Sequence, residues 1–168
     1  MSLSGGEGAA EAAAEGGPQA RLAALGLTLP KVTPPLAAYV PAVRTGDYVY
    51  TSGQLPIVDG QLLATGKVGA EVGAAEAHAL ARTCALNALA AAASAAGGLA
   101  SIRRIVKVTG FVASAPDFSG QAQVVNGASE LLLEVLGEAG RHARSAVGMA
   151  VLPLNAPVEI ELIAEVRD

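Results

Sequence analysis

The chain has 168 residues and one cysteine, a length that suits a single domain with a real core and leaves no disulfide framework to staple it. Hydrophobic residues make up 52%, charged residues 15% and aromatic residues 3%, which excludes extended disorder and asks for a core of Ala, Val, Leu and Ile. The net charge is −4, and the basic runs Arg103-Arg104 and Arg141–Arg144 are short, which disfavours nucleic acid without excluding a local patch.

Residues 1–17, MSLSGGEGAAEAAAEGG, have no core pattern and read as a flexible tail. The N-terminus also lacks the basic and apolar regions of a signal peptide, and no apolar run approaches the roughly 20 residues of a membrane span, so a cytoplasmic protein is expected. A single domain then covers 18–168. It opens with a short helix from Pro18 to Leu27, whose apolar stripe is Leu22 and Leu25 and whose stop is Gly26. Pro30, Pro34 and Pro35 punctuate an extended linker. Ala38–Val43 and Tyr48–Ser52 flank Arg44-Thr45-Gly46-Asp47 and read as a hairpin. Asp59-Gly60 signals a second turn, and Gln61–Thr65 another short strand.

The spacing predicts a strong helix over Ala74–Ala96, rich in Ala and stopped by Gly97-Gly98. Leu80, Cys84, Asn87/Ala88 and Ala91 trace one stripe of it, which makes Cys84 a buried, inert thiol. A strand follows between Ser101 and Ser114, then a second helix from Phe118 to about Gly137 with the stripe Val124, Val125, Ala128, Leu131, Leu132 and Val135. Two β-rich runs close the chain around Leu152–Pro157 and read as paired strands with a short connection, their register open. In the last run Val158, Ile160, Leu162, Ala164 and Val166 alternate with Glu159, Glu161, Ile163 and Glu165, so one face is core and the other carries charge. The order β-β-(β)-α-β-α-β-β gives an α+β, two-layer sandwich: a mixed sheet with two helices on one face.

Two segments carry a resemblance. The pattern ARSAV…LP…VEIELIAEV, from Ala143 to Val166, resembles the C-terminal signature of the RidA/YjgF family of enamine/imine deaminases, also labelled L-PSP endoribonucleases. YVPAVRTGDYVYTSGQLP, from Tyr39 to Pro56, is similar to that family's N-terminal hairpin, and the likeness spans residues 36 to 167. The resemblance implies a chorismate-mutase-like fold, a homotrimer whose sheets form a central barrel, and hydrolysis of 2-iminobutanoate- or 2-iminopropanoate-like acids to 2-oxo acids and ammonia with no cofactor or metal. The N-terminal helix marks a divergent branch. The implied partners are a small imine or 2-oxo carboxylate and two further copies of the chain; no membrane is expected, and the acidic charge balance disfavours nucleic acid. An L-PSP-like endoribonuclease and a non-catalytic trimeric carboxylate binder stay open as alternatives.

The resemblance also implies a site. Arg144 would clamp the substrate carboxylate, since Arg offers two parallel N–H donors and is always charged; a solvated ion pair at a strand start is the plain alternative. Glu159 would orient the attacking water, although alternation alone does not separate it from Glu161 or Glu165. Tyr39 would line the pocket, or simply pack. Ser52 and Gly53, in TSGQ, would bind substrate, Gly53 through its backbone N–H; a turn at the strand end is the alternative. Asn126 matches a pocket-side Asn, but about one extra helical turn precedes it here. Ala146 stands where many members have Cys and serves through its backbone. Arg141-His142 replaces a common Pro, and a solvent-exposed loop histidine is expected at His142. A Ser–His–Asp triad would need Ser52 or Ser145, His78 or His142, and Asp47 or Asp117, with no nucleophile-elbow motif to support it.

Overall fold

The structure, a computed structural model, describes residues 16–33 and 37–168. The expected tail over 1–17 therefore lies outside the described residues except for its last two. Helix α1 spans Gly17–Ala24 with Pro18 in its first turn, where its missing N–H costs nothing. It stops at Ala24, short of the expected Leu27, and the chain turns away at Gly26, whose φ of 70° suits a residue without Cβ. Strands β1 (Ala42–Thr45) and β2 (Tyr48–Thr51) form the hairpin across Gly46, and β3 (Ile57–Val58) and β4 (Gln61–Leu62) form a small one across Asp59-Gly60. Helix α2 runs Ala74–Ala96, β5 Ile102–Ala113, α3 Gln121–Leu136, β6 Ala143–Met149 and β7 Val158–Val166.

The five-stranded sheet has the order β1-β2-β7-β5-β6. All its pairs are antiparallel except β5 with β6. This corrects the expected pairing of the last two strands: β6 and β7 do not pair, because β5 lies between them. The cause is the length and pattern of β5. Twelve residues with Ile105, Val108 and Val112 fully buried make it a central strand that needs a ladder on both edges. The connection between β6 and β7 straddles its end, with Ser114 N–H donating to Met149 C=O (3.0 Å) and Ala113 N–H to Pro157 C=O (2.9 Å).

Helices α2 and α3 cover one face of this sheet, and α1 packs on α3. The alternation of β7 holds: Val158, Ile160, Leu162, Ala164 and Val166 are buried under the helices. The α3 stripe also holds, with Val124, Val125, Ala128, Leu131, Leu132 and Val135 all buried. By length and composition alone α2 could cross a membrane, contrary to the expectation that no such run exists, but 61% of its most apolar window is buried inside this fold. Asn87, a polar residue on its stripe, donates from its amide to the carbonyls of Leu55 (3.0 Å) and Ile57 (2.9 Å) and so anchors the loop after β2. Cys84 is fully buried, and burial pushes its thiol pKa well up, which keeps it protonated and inert.

Small residues set the helix distances. A Cβ on Gly110 of β5 would lie 2.3 Å from Cγ2 of Val125, so α3 can sit this close only over glycine. A Cβ on Gly127 would lie 2.0 Å from the backbone carbonyl oxygen of His78, where nothing can swing aside. Gly127→Ala should therefore force α2 and α3 apart. We expect a loss of about 2–3 kcal/mol, at the upper end of overpacking costs, read in thermal unfolding as a Tm lower by about 5–10 °C.

Candidate active site

Arg144 is the second residue of β6 and pairs with Val108 of β5, a residue buried under the helices. Neighbours in a parallel pair point to the same face, so the Arg144 side chain goes toward α3. There Nη1 donates to Asn126 Oδ1 at 2.8 Å and to Ser129 Oγ at 3.2 Å, and Nη2 donates to the Ala122 carbonyl at 3.4 Å. Ala122, Asn126 and Ser129 lie on one face of α3 at the i, i+4, i+7 spacing. Asn126 thus lies beside Arg144. A guanidinium has five N–H groups. The three bonds leave Nε–H and one N–H of Nη2 without a partner among the described residues, and the edge formed by these two nitrogens is the fork that holds a carboxylate side-on. Among the described residues no carboxylate pairs with this partly buried cation. Ala146, two residues along β6, shares the face and packs against the core.

Glu159 stands elsewhere. It pairs with Phe111 of β5, on the sheet face away from the helices. From the Arg144–Val108–Leu162 row it is two strands across and three residues along, about 10 Å in each direction, and on the opposite face. Within one protomer the two residues do not meet. What Glu159 does meet is Gly53: a Cβ there would fall 1.9 Å from Glu159 Oε1, so glycine is required for the carboxylate to lie where it does. The Gly53 N–H and the Glu159 carboxylate make no hydrogen bond to any described residue. Both open into a cleft of about 1040 Å³ that Tyr39, Gln54 and Leu154 also line. Leu154 is 69% exposed and sits at φ 58°, a left-handed conformation unusual for a residue with a Cβ. Ser52 holds this end together, donating its hydroxyl to the Val40 carbonyl at 2.6 Å, next to Tyr39.

The expected residues therefore fall into two groups. Tyr39, Ser52, Gly53 and Glu159 gather at one end of the sheet, and Asn126, Arg144 and Ala146 at the far edge strand. Sequence reasoning missed Ser129, although its spacing from Asn126 was a usable signal. It also misplaced His142. That ring is partly buried, not free in solvent, with Nε2 2.9 Å from Ser129 Oγ and Nδ1 2.6 Å from the Gly140 carbonyl. No triad forms around it, because Nδ1 meets a backbone carbonyl where a triad needs a carboxylate. Among the described residues no three His, Cys, Asp or Glu side chains converge as metal ligands.

Burial raises the Glu159 pKa above the usual carboxylate range, and the neighbouring Glu161 charge adds to the shift. A carboxyl whose pKa is raised on folding costs stability when ionised. The cost is fully present above the raised pKa and disappears as pH falls below the unfolded-state value. Glu159→Gln should therefore melt higher than wild type at about pH 8, with the gap closing by about pH 4. Calorimetric scans across that range check it; a mutant that melts lower at every pH would mean the carboxylate is stabilised by its surroundings.

Three comparisons bear on what this arrangement is. Residues 19–166 match the family model described as "YjgF/chorismate_mutase-like, putative endoribonuclease". Protein TCP17 of Trypanosoma cruzi is 43% identical over 156 residues, covering 92% of this chain and 98% of TCP17. The crystal structure of Atu1372 from Agrobacterium tumefaciens superposes with a TM-score of 0.83 at 49% identity, covering 96% of each chain. The structure of Escherichia coli TdcF with bound serine gives a TM-score of 0.59 at 30% identity, covering 80% of this chain and 92% of TdcF. Coverage of nearly all of Atu1372 but only the larger part of this chain by TdcF fits a longer form of one common domain.

Proposed function

The chain belongs to the YjgF/chorismate mutase-like family, and from that premise we propose that it hydrolyses small imine or enamine acids to 2-oxo acids and ammonia. One observation carries the reading: a partly buried guanidinium, held on one side by Asn126 and Ser129, presents an unpaired fork and has no carboxylate partner among the described residues. A fixed fork without a counter-ion suits a carboxylate ligand. TdcF, solved with bound serine, shows that a relative of this fold takes a small carboxylate-bearing molecule.

The chemistry follows from the parts. The enamine tautomerises to the imine, whose carbon is electrophilic. Water adds its oxygen to that carbon and a proton passes to the nitrogen. The resulting carbinolamine breaks its C–N bond and releases ammonia and the 2-oxo acid. Glu159, without a partner among the described residues and with a raised pKa, suits a group that orients the water and takes and returns its proton. The Gly53 N–H beside it has no partner among the described residues and suits a donor to the substrate.

Arg144 and Glu159 lie on opposite faces of one sheet, so the proposal places the reaction between copies. In a homotrimer the Arg144 edge of one copy meets the Gly53–Glu159 end of the next. The helix-free sheet face supports this, since Val43, Tyr48, Tyr50 and Val147 stand exposed on it. The test is ammonia release by wild-type protein from 2-iminopropanoate generated in situ, with sedimentation equilibrium run on the same sample. We expect release above the uncatalysed rate and a mass of three chains. A monomer at every concentration, or no release, would overturn the reading. Ribonuclease action, the activity in the family description, has less support: 11 basic residues face 15 acidic ones, and arginines 44, 82, 103 and 141 are each paired to a carboxylate.

A further inference from the structure

We infer that Ser129 and His142 are positioning residues that aim the Arg144 guanidinium through a one-way hydrogen-bond relay. The inference rests on the reading of Arg144 as the carboxylate clamp. The relay's direction follows from its far end. The Gly140 carbonyl can only accept, so the His142 Nδ1 at 2.6 Å carries a proton. Burial pushes the His142 imidazole below its ordinary pKa, the Gly140 carbonyl opposes that, and the Arg144 charge adds to it, so the ring is neutral near pH 7. A neutral ring protonated at Nδ1 has a lone pair on Nε2. The Ser129 hydroxyl, 2.9 Å away, must therefore donate to it.

With its proton committed to His142, Ser129 turns its lone pairs toward Arg144, whose Nη1 lies 3.2 Å off. The bonds run from the Arg144 N–H to Ser129 Oγ, from the Ser129 O–H to His142 Nε2, and from the His142 Nδ1–H to the Gly140 carbonyl. Asn126 Oδ1, at 2.8 Å, takes the other N–H of the same nitrogen. Both protons of Nη1 are thus fixed. The guanidinium plane is set by α3 and by the turn before β6, and the Nε–Nη2 edge is left to the ligand. Without the relay, the guanidinium keeps only Asn126 on Nη1 and the long 3.4 Å bond from Nη2 to the Ala122 carbonyl, and its plane is held less firmly. The binding geometry of a fork is lost by rotation well before the charge is lost.

Two measurements on the full chain test this. Imidazole ¹⁵N shifts of the wild-type protein at neutral pH should show His142 as the Nδ1–H tautomer; an Nε2–H tautomer overturns the relay, whatever any variant does. Calorimetry with pyruvate then compares Ser129→Ala, His142→Asn, Ser129→Thr and Arg144→Ala. We expect Ser129→Ala and His142→Asn to bind pyruvate about 5- to 10-fold more weakly, as expected for one net hydrogen bond. Ser129→Thr, which keeps the hydroxyl, should recover affinity to within about twofold. A merely structural serine would lower Tm without this recovery. If Arg144→Ala loses pyruvate while Ser129→Ala and His142→Asn bind it as wild type does, the relay is wrong and the clamp stands. If Arg144→Ala itself binds pyruvate normally, the clamp falls, and the relay falls with it as a device for aiming it.

Discussion

Arg144→Ala should bind pyruvate on the order of 100-fold more weakly than wild type, or worse. The fork supplies two charge-assisted hydrogen bonds, each worth roughly 1.5–3 kcal/mol, and tenfold in affinity is about 1.4 kcal/mol. The ligand carboxylate is present before, during and after reaction, so this loss should fall on binding throughout, with a further loss in rate because the imine carbon is no longer held against its water. The fold should tolerate the change. Arg144 is partly exposed and closes no ion pair among the described residues, and the groups it leaves, Asn126 Oδ1, Ser129 Oγ and the Ala122 carbonyl, lie at the surface edge of α3 where water can reach them. Isothermal calorimetry checks the affinity and circular dichroism melting checks the fold. Arg144→Lys is the informative companion: it keeps the charge but loses the planar fork, so most of the affinity should go with it. Full pyruvate affinity in Arg144→Ala would reduce Arg144 to a strand-end cation tied to a helix.

Local periodicity carried most of the fold. The strict alternation from Val158 to Val166, the Ala-rich run ending at Gly97 and the stripe from Val124 to Val135 are each written within a few residues of one another, and each element appears where its pattern places it. The β1–β2 hairpin was legible through Gly46, at φ 56°, but its first strand runs Ala42–Thr45 and not Ala38–Val43, because Arg44 and Thr45 pair with Val49 and Tyr48 and leave a two-residue turn. Strand order was not legible in this way. Nothing between Met149 and Val158 says that a third strand passes between β6 and β7, because that depends on β5, some forty residues earlier, having two ladder edges to fill. A short Pro- and Asn-rich connection looks the same in a hairpin and in a link that straddles another strand.

The site was legible as residue types and not as a place. The motifs named Arg144 and Glu159, but their sheet faces are opposite, and the face of Arg144 is fixed by its pairing with Val108. His142 shows the same limit in one residue. A histidine after Gly140-Arg141 reads as a loop residue by composition; its burial comes from α3, whose Ser129 reaches it from thirteen positions earlier. Asn126 errs the other way. An added turn was expected to shift it along the helix axis, yet the helix begins only at Gln121 and its 122/126/129 face is what meets β6.

Glu159→Gln should keep pyruvate affinity within about twofold of wild type and lose about 10²–10⁴-fold in turnover of 2-iminopropanoate, the range of a positioned proton-transfer group. Glutamine has nearly the same size and retains one carbonyl oxygen, so it still fits over Gly53, where no side chain competes for the space. It cannot take a proton from water. The raised pKa sharpens the expectation: a carboxyl shifted upward by burial is a better base than an ordinary surface glutamate, and it moves closer to the pH at which it both accepts and returns a proton. The same substitution should raise thermal stability near neutral pH, because it removes the cost of ionising a half-buried group. Loss of activity together with gain of stability is the signature of a group kept for chemistry, and damage to the fold would move both downward. Glu161→Gln is the control, since Glu161 lies on the same sheet face two residues along β7 but does not touch Gly53. Ammonia release by Glu159→Gln at the wild-type rate would make Glu159 an ordinary carboxylate on an open sheet face, and the hydrolytic reading would then lack its base.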